Sequence, residues 1–213
     1  MLIAEELVLL ALQPDGKLAR GASNQSSVAV GVTGALVAEL AIDGHLEVVD
    51  GRIRLTGTRP THPLLAQVLD NVEPHEGKQL KSRLGAIKHS GWSEVVDAMI
   101  DAGTLGRDSA PLRPTRHPVN DLVAHAQLLA DVRAAAAGAP LDARLATLLA
   151  LSGPCQLLEV VVPDRADRKA AKARIDAAAE QVPVAGAVKA VIAEVQAAVI
   201  VAIAASSVAS SSS

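Results

Sequence analysis

The chain has 213 residues, half of them apolar, and a formal net charge of −3 at pH 7, which suits one large domain with a substantial core. This weakly acidic balance gives no overall attraction to nucleic acid or anionic lipid, so binding to either would need a local cluster of Lys and Arg. Phe and Tyr are absent, Trp92 is the only aromatic residue and Cys155 the only cysteine, which excludes aromatic stacking platforms and an internal disulfide.

The first part of the chain predicts two helices, a β-hairpin and a third helix. An apolar first helix over residues 3–12 ends at the turn residues 14–16. The second helix runs to about residue 42 and stops at a glycine, which accepts the left-handed conformation of a C-cap. Asp50-Gly51 between two alternating runs predicts a hairpin. The step Thr61-His62-Pro63 fits a helix start, because proline is tolerated in the first turn.

This order of elements occurs twice. Residues 39–46 are followed by His62-Pro63, and the similar residues 98–105 are followed by His117-Pro118. In each copy an apolar helix stops at a glycine, a hairpin follows and a His-Pro step begins the next helix; the second hairpin is predicted near residues 104–112. Each unit exposes an apolar face that it cannot cover alone, so the two are expected to pack into one domain.

The remainder of the chain is predicted to be helical, with its most apolar segment over residues 184–205. Lys189, Glu194 and Gln196 interrupt that segment, so its uncharged run is shorter than the roughly 20 residues that cross a bilayer. We therefore predict a buried terminal helix and a mainly α fold: a single-domain helical bundle (residues 1–205) around this helix, with two small β-hairpins. Residues 206–213 are predicted to form a disordered Ser-rich tail.

The sequence lacks the common motifs of enzymes and metal sites. It contains no Gly-x-Ser-x-Gly elbow, no phosphate-binding loop, and no His-x-x-x-His or paired-cysteine spacing. Glu5, Glu6 and Glu39 lie within apolar runs, where carboxylates with shifted pKa can act as acids or bases, although structural ion pairs are commoner. His62 and His117 occupy equivalent places and are interpreted as helix caps. We predict no enzyme, no metal and no cofactor.

Two possible binding functions differ in their charge pattern. A helix, a glycine and a hairpin also describe a winged-helix DNA reader, but residues 28–42 offer only Thr33 and Glu39 as larger polar side chains, which disfavours nucleic acid. Positive charge is instead concentrated on the two predicted hairpins, at Arg52, Arg54, Arg59, Arg107, Arg113 and Arg116. If both hairpins lie on one side, they would form a basic face for phosphate headgroups, at about 1 kcal/mol per cation.

The sequence resembles the Golgi phosphoprotein 3 family, including its bacterial members. The resemblance is carried by residues 2–12 with Asp15-Gly16, by residues 39–46, by Gly103, Leu105 and His117-Pro118, and by residues 142–151. It implies a mostly helical single domain around the apolar terminal helix. Eukaryotic members of the family are peripheral membrane proteins that bind phosphatidylinositol 4-phosphate and act as adaptors for retaining Golgi glycosyltransferases.

In that family the lipid site uses a tryptophan before the second helix, an arginine on that helix and basic residues after the His-Pro step. These positions fall at Asn24, Thr33 and His125 of this chain. Nearby cations would replace the lost charge, and they are Lys17, Arg20, Arg113 and Arg116. We therefore predict a cytoplasmic adaptor, peripheral on the inner face of the membrane, with an anionic lipid headgroup or membrane surface and a protein client as partners. The alternative is a protein-interaction module without lipid binding.

Overall fold

The computed structural model describes residues 1–19, 25–87, 91–111, 113–181 and 186–211, and it is mainly helical. The first half contains α1 (Ile3–Ala11), α2 (Gln25–Ile42), β1 (Leu46–Val49), β2 (Arg52–Leu55), α3 (Pro63–Val72), α4 (Leu80–Arg83) and α5 (Trp92–Asp101). The second half contains α6 (Leu122–Ala137), α7 (Ala143–Ser152), α8 (Leu158–Val161), α9 (Arg168–Asp176) and α10 (Gly186–Ser211). The predicted mainly α single domain is confirmed.

Helices α1 and α2 form the centre of the bundle. Ile3 and Leu7 of α1 are fully buried, and α2 is buried from Gly31 to Leu40, as expected of a helix that is apolar on all sides. Within the described ranges, α2 is the one helix whose length and hydropathy would suffice to span a membrane, and 67% of it is buried inside the protein. The burial of α2 also agrees with its rejection as a DNA recognition helix.

We predicted that the helical bundle surrounds the C-terminal helix. Instead, α10 lies on α2 and covers it with one face. It packs against α2, α4 and α7. A Cβ atom on Gly34 of α2 would lie 2.6 Å from the Cγ2 atom of Val199, so the glycine allows close approach of the two helices. Val195 and Val199 are buried, whereas Ile200 and Val201 are exposed. The predicted buried terminal helix is therefore confirmed on the face that packs on α2 and corrected on the opposite face, which is exposed.

The backbone of α10 remains helical through Ser211, beyond the residue 206 at which we predicted disorder. Serine has an intermediate helix propensity, so a serine and alanine segment that continues an existing helix does not have to end it. The separation of residues 206–213 from the domain stays a prediction.

The first hairpin forms as predicted. Strands β1 and β2 are antiparallel, with Leu46 opposite Leu55 and Val49 opposite Arg52. Asp50 and Gly51 have φ angles of 50° and 72°, which is the geometry of the two-residue turn that Asp-Gly favours.

The second hairpin is reduced to isolated pairing. In the described part of the chain, only single antiparallel bridges join Leu105 to Val119 and Asp108 to Arg116. Pro111, Pro114 and Pro118 lie in or beside this segment, and proline cannot donate to a strand ladder. The predicted hairpin over residues 104–112 was therefore wrong in its bounds and in its regularity.

The second His-Pro step does not begin a helix. Helix α6 begins later, and Asp121 caps it, because the Asp121 carboxylate accepts the N–H groups of Val123 at 3.1 Å and Ala124 at 2.9 Å. His117 is thus not a helix cap, and its segment is free to line a pocket.

A partly buried cluster of one arginine and two carboxylates links α1, α2 and α7. The Arg144 guanidinium donates to the Glu39 carboxylate, to the Met1 carbonyl at 2.6 Å, and lies 3.5 Å from Glu6. Glu39 also accepts the backbone N–H of Ile3 at 2.6 Å. Burial raises the pKa of Glu6, while the Arg144 charge opposes this effect. These carboxylates are therefore partners of a structural arginine.

Candidate functional site

A pocket of about 360 Å³ lies where four segments of the chain meet. These segments are the turn after α1, the start of α2, the start of α5 and the stretch that leads into the second His-Pro step. The lining residues are Leu12, Gly16, Lys17, Leu18, Gln25, Trp92, Pro114, Thr115, Arg116 and His117. We call it the loop pocket.

The turn after α1 is packed onto the backbone of the second repeat unit. The Gly16 carbonyl accepts the His117 N–H at 3.4 Å, and the Pro14 carbonyl accepts the Val119 N–H at 3.2 Å. Gly16 has a φ of +76°, and a Cβ atom there would lie 2.4 Å from the carbonyl carbon of His117. Only glycine fits this position without a shift of backbone. Two walls of the loop pocket are therefore fixed relative to each other.

Two cationic side chains from different segments line the loop pocket. The Lys17 ammonium lies 2.5 Å from the Asp15 carboxylate, and the Lys17 backbone N–H also donates to that carboxylate at 3.2 Å. The hydrogen bonds from Lys17 hold the pKa of Asp15 below its ordinary value, and the charge of Arg116 contributes in the same direction. The positive charges of Lys17 and Arg116 are therefore both close enough to Asp15 to lower its pKa.

Two helices begin at the loop pocket, because α2 starts at Gln25 and α5 at Trp92 and both residues line it. First-turn N–H groups have no acceptor within their helix and form the positive end of its dipole, which favours anions. A Cβ atom on Gly91 would lie 2.7 Å from the Ala29 carbonyl oxygen and 2.8 Å from the Thr33 hydroxyl. The start of α5 therefore packs closely against the N-terminal half of α2.

Trp92 lines the loop pocket but was not among the site residues predicted from the sequence. It is the only aromatic residue of the chain, it is 7% exposed, and it lines both the loop pocket and an adjoining pocket of about 270 Å³ beside Ser26 and Ser93. In the family resemblance the aromatic position before α2 falls at Asn24, whereas in this structure a tryptophan of α5 lines the pocket. A lone tryptophan directly after Gly91 at a helix start was the available signal.

Of the predicted site residues, Lys17 and Arg116 line the loop pocket. Arg113 is exposed on the same segment as Arg116 but is not a lining residue. Arg20 and Asn24 lie outside the residues that the structure describes.

The other two predicted site residues lie in the interior. Thr33 is buried, and its hydroxyl donates to the Ala29 carbonyl at 3.2 Å. His125 is buried, with its Nε2 atom 3.1 Å from the Leu9 carbonyl oxygen. Since neither side chain lines the loop pocket, we do not retain them as headgroup contacts.

Two of the six arginines of the predicted basic face form surface ion pairs. Arg59 pairs with Asp70 and Glu73, and Arg107 pairs with Asp97. The basic face formed by both hairpins stays a prediction, and its member Arg116 lines the loop pocket.

Another pocket of about 360 Å³ lies between α6, α8 and α9. Its two arginines support helix ends, because Arg133 donates to the Val160 carbonyl at 3.2 Å and Arg174 donates to the Ala136 carbonyl at 3.3 Å. Such bonds satisfy the terminal carbonyls of helices. We therefore regard this pocket as structural.

The described residues contain no group of three or more His, Cys, Asp or Glu side chains that could hold a metal ion. Cys155 is buried, and burial raises the pKa of its thiol to about 12, so the thiolate form needed for nucleophilic chemistry is scarce at neutral pH.

His117 is expected to make the stability of the protein pH-dependent. Burial lowers its pKa below the ordinary value near 6.5, and its Nδ1 atom is enclosed without a hydrogen-bond partner among the described residues. Below about pH 6.5 the unfolded chain binds a proton that the folded chain resists, so the free energy of unfolding falls as pH drops through this range. Urea unfolding at about pH 7.5 and about pH 5.5 should show a smaller loss for His117→Gln than for wild type. Equal losses would contradict this assignment.

Comparison with known proteins identifies the family. A comparison with curated proteins gives no match to the chain. The family model described as Golgi phosphoprotein 3 (GPP34) matches residues 3–195, a range that includes all four segments of the loop pocket. The chain therefore belongs to the Golgi phosphoprotein 3 (GPP34) family.

Proposed function

We propose that the protein is a peripheral membrane adaptor whose loop pocket binds the anionic phosphate headgroup of a lipid at the cytoplasmic face of a membrane. The supporting observation is that Lys17 and Arg116, from two distant segments, line one pocket at which α2 and α5 both begin. Membership of the family, which is not an enzyme family, is consistent with a binding role.

The expected attraction is local and moderate. Each cation near an anionic surface contributes about 1 kcal/mol, and each helix N-terminus about 0.5 kcal/mol. The net charge of −3 gives no general attraction, so binding depends on the loop pocket. Such binding is salt-sensitive, because exposed charges are screened over about 10 Å at 0.1 M salt.

The walls of the loop pocket define the class of ligand. Leu12, Leu18 and Trp92 provide apolar surface beside the two cations, which suits a phosphate ester whose carbon substituent packs on that surface while its phosphate meets the cations. Phosphatidylinositol 4-phosphate is the ligand that the family resemblance implies, and we include it among the lipids to be tested. A protein client would bind elsewhere on the adaptor.

Sedimentation with lipid vesicles tests this proposal. We expect wild type to sediment at low salt with phosphatidylcholine vesicles that contain phosphatidylinositol 4-phosphate or phosphatidic acid, and not with phosphatidylcholine alone. Reversal of both pocket charges in Lys17→Glu/Arg116→Glu should weaken binding by at least about tenfold, because each reversal replaces an attraction by a repulsion.

The matched control is Arg54→Glu/Arg83→Glu, which has the same net charge and changes exposed residues outside the loop pocket. It should bind nearly as well as wild type. Equal loss in both variants would indicate general charge attraction and contradict a pocket. Absence of vesicle binding together with a protein that co-purifies without lipid would favour the interaction module instead.

A further inference from the structure

The Asp15 carboxylate is already paired with Lys17, one of the two cations that would bind an anionic ligand in the loop pocket. Its Oδ2 atom lies 2.5 Å from the Lys17 ammonium, while its Oδ1 atom accepts the Lys17 backbone N–H at 3.2 Å. Asp15 thereby places a negative charge beside the loop pocket in the absence of ligand.

Building on the proposed function, we propose that Asp15 is a specificity-determining residue of the loop pocket. Its carboxylate competes with anionic ligands for Lys17, and so it sets both the affinity of the pocket and the dependence of that affinity on ligand charge.

The backbone of Asp15 is held beside the loop pocket. The turn that carries Asp15 accepts hydrogen bonds from His117 and Val119 at the Gly16 and Pro14 carbonyls, and Gly16 packs closely on the backbone of His117. A ligand that enters the pocket therefore meets Lys17 with the Asp15 carboxylate beside it. The ligand must share Lys17 with the carboxylate or draw the flexible lysine side chain away from it.

The pair is weak enough to be exchanged. The side chains of Lys17 and Asp15 are 52% and 47% exposed, and ion pairs at such positions contribute little to stability because water screens them. A phosphate that also contacts Arg116 and the helix N-termini can therefore replace Asp15 as the partner of Lys17.

Ligand charge determines how strongly Asp15 acts. The repulsion between the Asp15 carboxylate and a bound anion at a given distance is proportional to the charge of the anion. Removing the carboxylate should therefore strengthen binding of a monoanion by about threefold and of a dianion by about tenfold, the second factor being close to the square of the first.

The experiment titrates wild type, Asp15→Asn and Asp43→Asn at constant ionic strength while Trp92 fluorescence is recorded. Methyl phosphate is the dianionic probe and dimethyl phosphate the monoanionic one. Asparagine retains an oxygen that can accept the Lys17 N–H, so the turn is preserved. Asp43→Asn is the control, because it removes one charge from an exposed residue that does not line the loop pocket. Vesicles with phosphatidic acid form a parallel arm that separates a lipid-borne from a free phosphate.

Asp15→Asn should bind methyl phosphate about tenfold and dimethyl phosphate about threefold more tightly than wild type, and Asp43→Asn should change neither. If wild type binds but Asp15→Asn binds equally or more weakly, Asp15 only orients Lys17 and this inference is overturned while the proposed function stands. If no variant binds either phosphate or the vesicles, the proposed function fails and this inference fails with it.

Discussion

Replacing Arg144 with methionine should lower the free energy of unfolding by about 3 kcal/mol. Methionine keeps much of the side-chain volume but leaves Glu39, whose side chain is 4% exposed, without its cation. A buried carboxylate that loses its partner pays the full cost of desolvation. The substitution also removes the hydrogen bond that ties the Met1 carbonyl to α7. Urea unfolding followed by circular dichroism measures the effect.

The control for this substitution is Lys172→Met, which breaks an exposed pair with Asp176 within α9. That change should stay within about 0.5 kcal/mol of wild type. The double variant Glu39→Leu/Arg144→Met should recover only part of the loss, because it removes the unpaired charge but leaves the Ile3 N–H without its acceptor. A loss below about 1 kcal/mol in Arg144→Met would contradict the view that Glu39 depends on Arg144 in the folded protein.

Replacing Gly16 with alanine should lower the free energy of unfolding by about 2 kcal/mol or more and also weaken vesicle binding. The added Cβ atom meets the backbone of His117 and Pro118 at 2.4 to 2.5 Å, and the left-handed backbone alone costs alanine about 1 kcal/mol. The backbone must shift to relieve the contact, which moves Lys17 relative to Arg116. Unfolding and vesicle sedimentation are measured on the same preparation.

Gly57→Ala separates the backbone effect from the packing effect. Gly57 has a φ of +79°, and a Cβ atom there meets nothing within 4 Å. Its replacement should cost only about 1 kcal/mol and leave vesicle binding unchanged. Equal costs at the two glycines would show that the turn after α1 is not packed on the second repeat unit in solution.

Short sequence patterns were enough to predict much of the fold. The Asp50-Gly51 turn has the φ angles that this dipeptide favours, and Asp43-Gly44 ends α2 as predicted. These features depend on a few neighbouring residues, so they can be predicted from sequence. The second hairpin failed because its prolines interrupt pairing, and α10 was misplaced because apolar composition does not tell which face of a helix is covered.

The candidate site was only partly predictable because it is formed by distant segments. Lys17 and Arg116 were predicted from their charge and from the family resemblance, whereas the contribution of Trp92 depends on how α5 packs on α2. The same limit applies to Glu39 and Arg144, which pair across 105 positions of the chain. The position of Glu39 among apolar residues of the sequence indicated that its carboxylate would need a charged or hydrogen-bonding partner, but it did not identify that partner as Arg144.

The most direct test of the loop pocket as the lipid-binding site is to record the fluorescence emission of Trp92 during titration with vesicles that contain phosphatidic acid. The chain has no other tryptophan and no tyrosine, so emission reports on the loop pocket. We predict a saturable change in emission that parallels sedimentation, is suppressed at about 0.5 M salt and is absent in Lys17→Glu/Arg116→Glu. Sedimentation of the wild-type protein with these vesicles while Trp92 emission stays constant would place the lipid contact elsewhere and contradict the account.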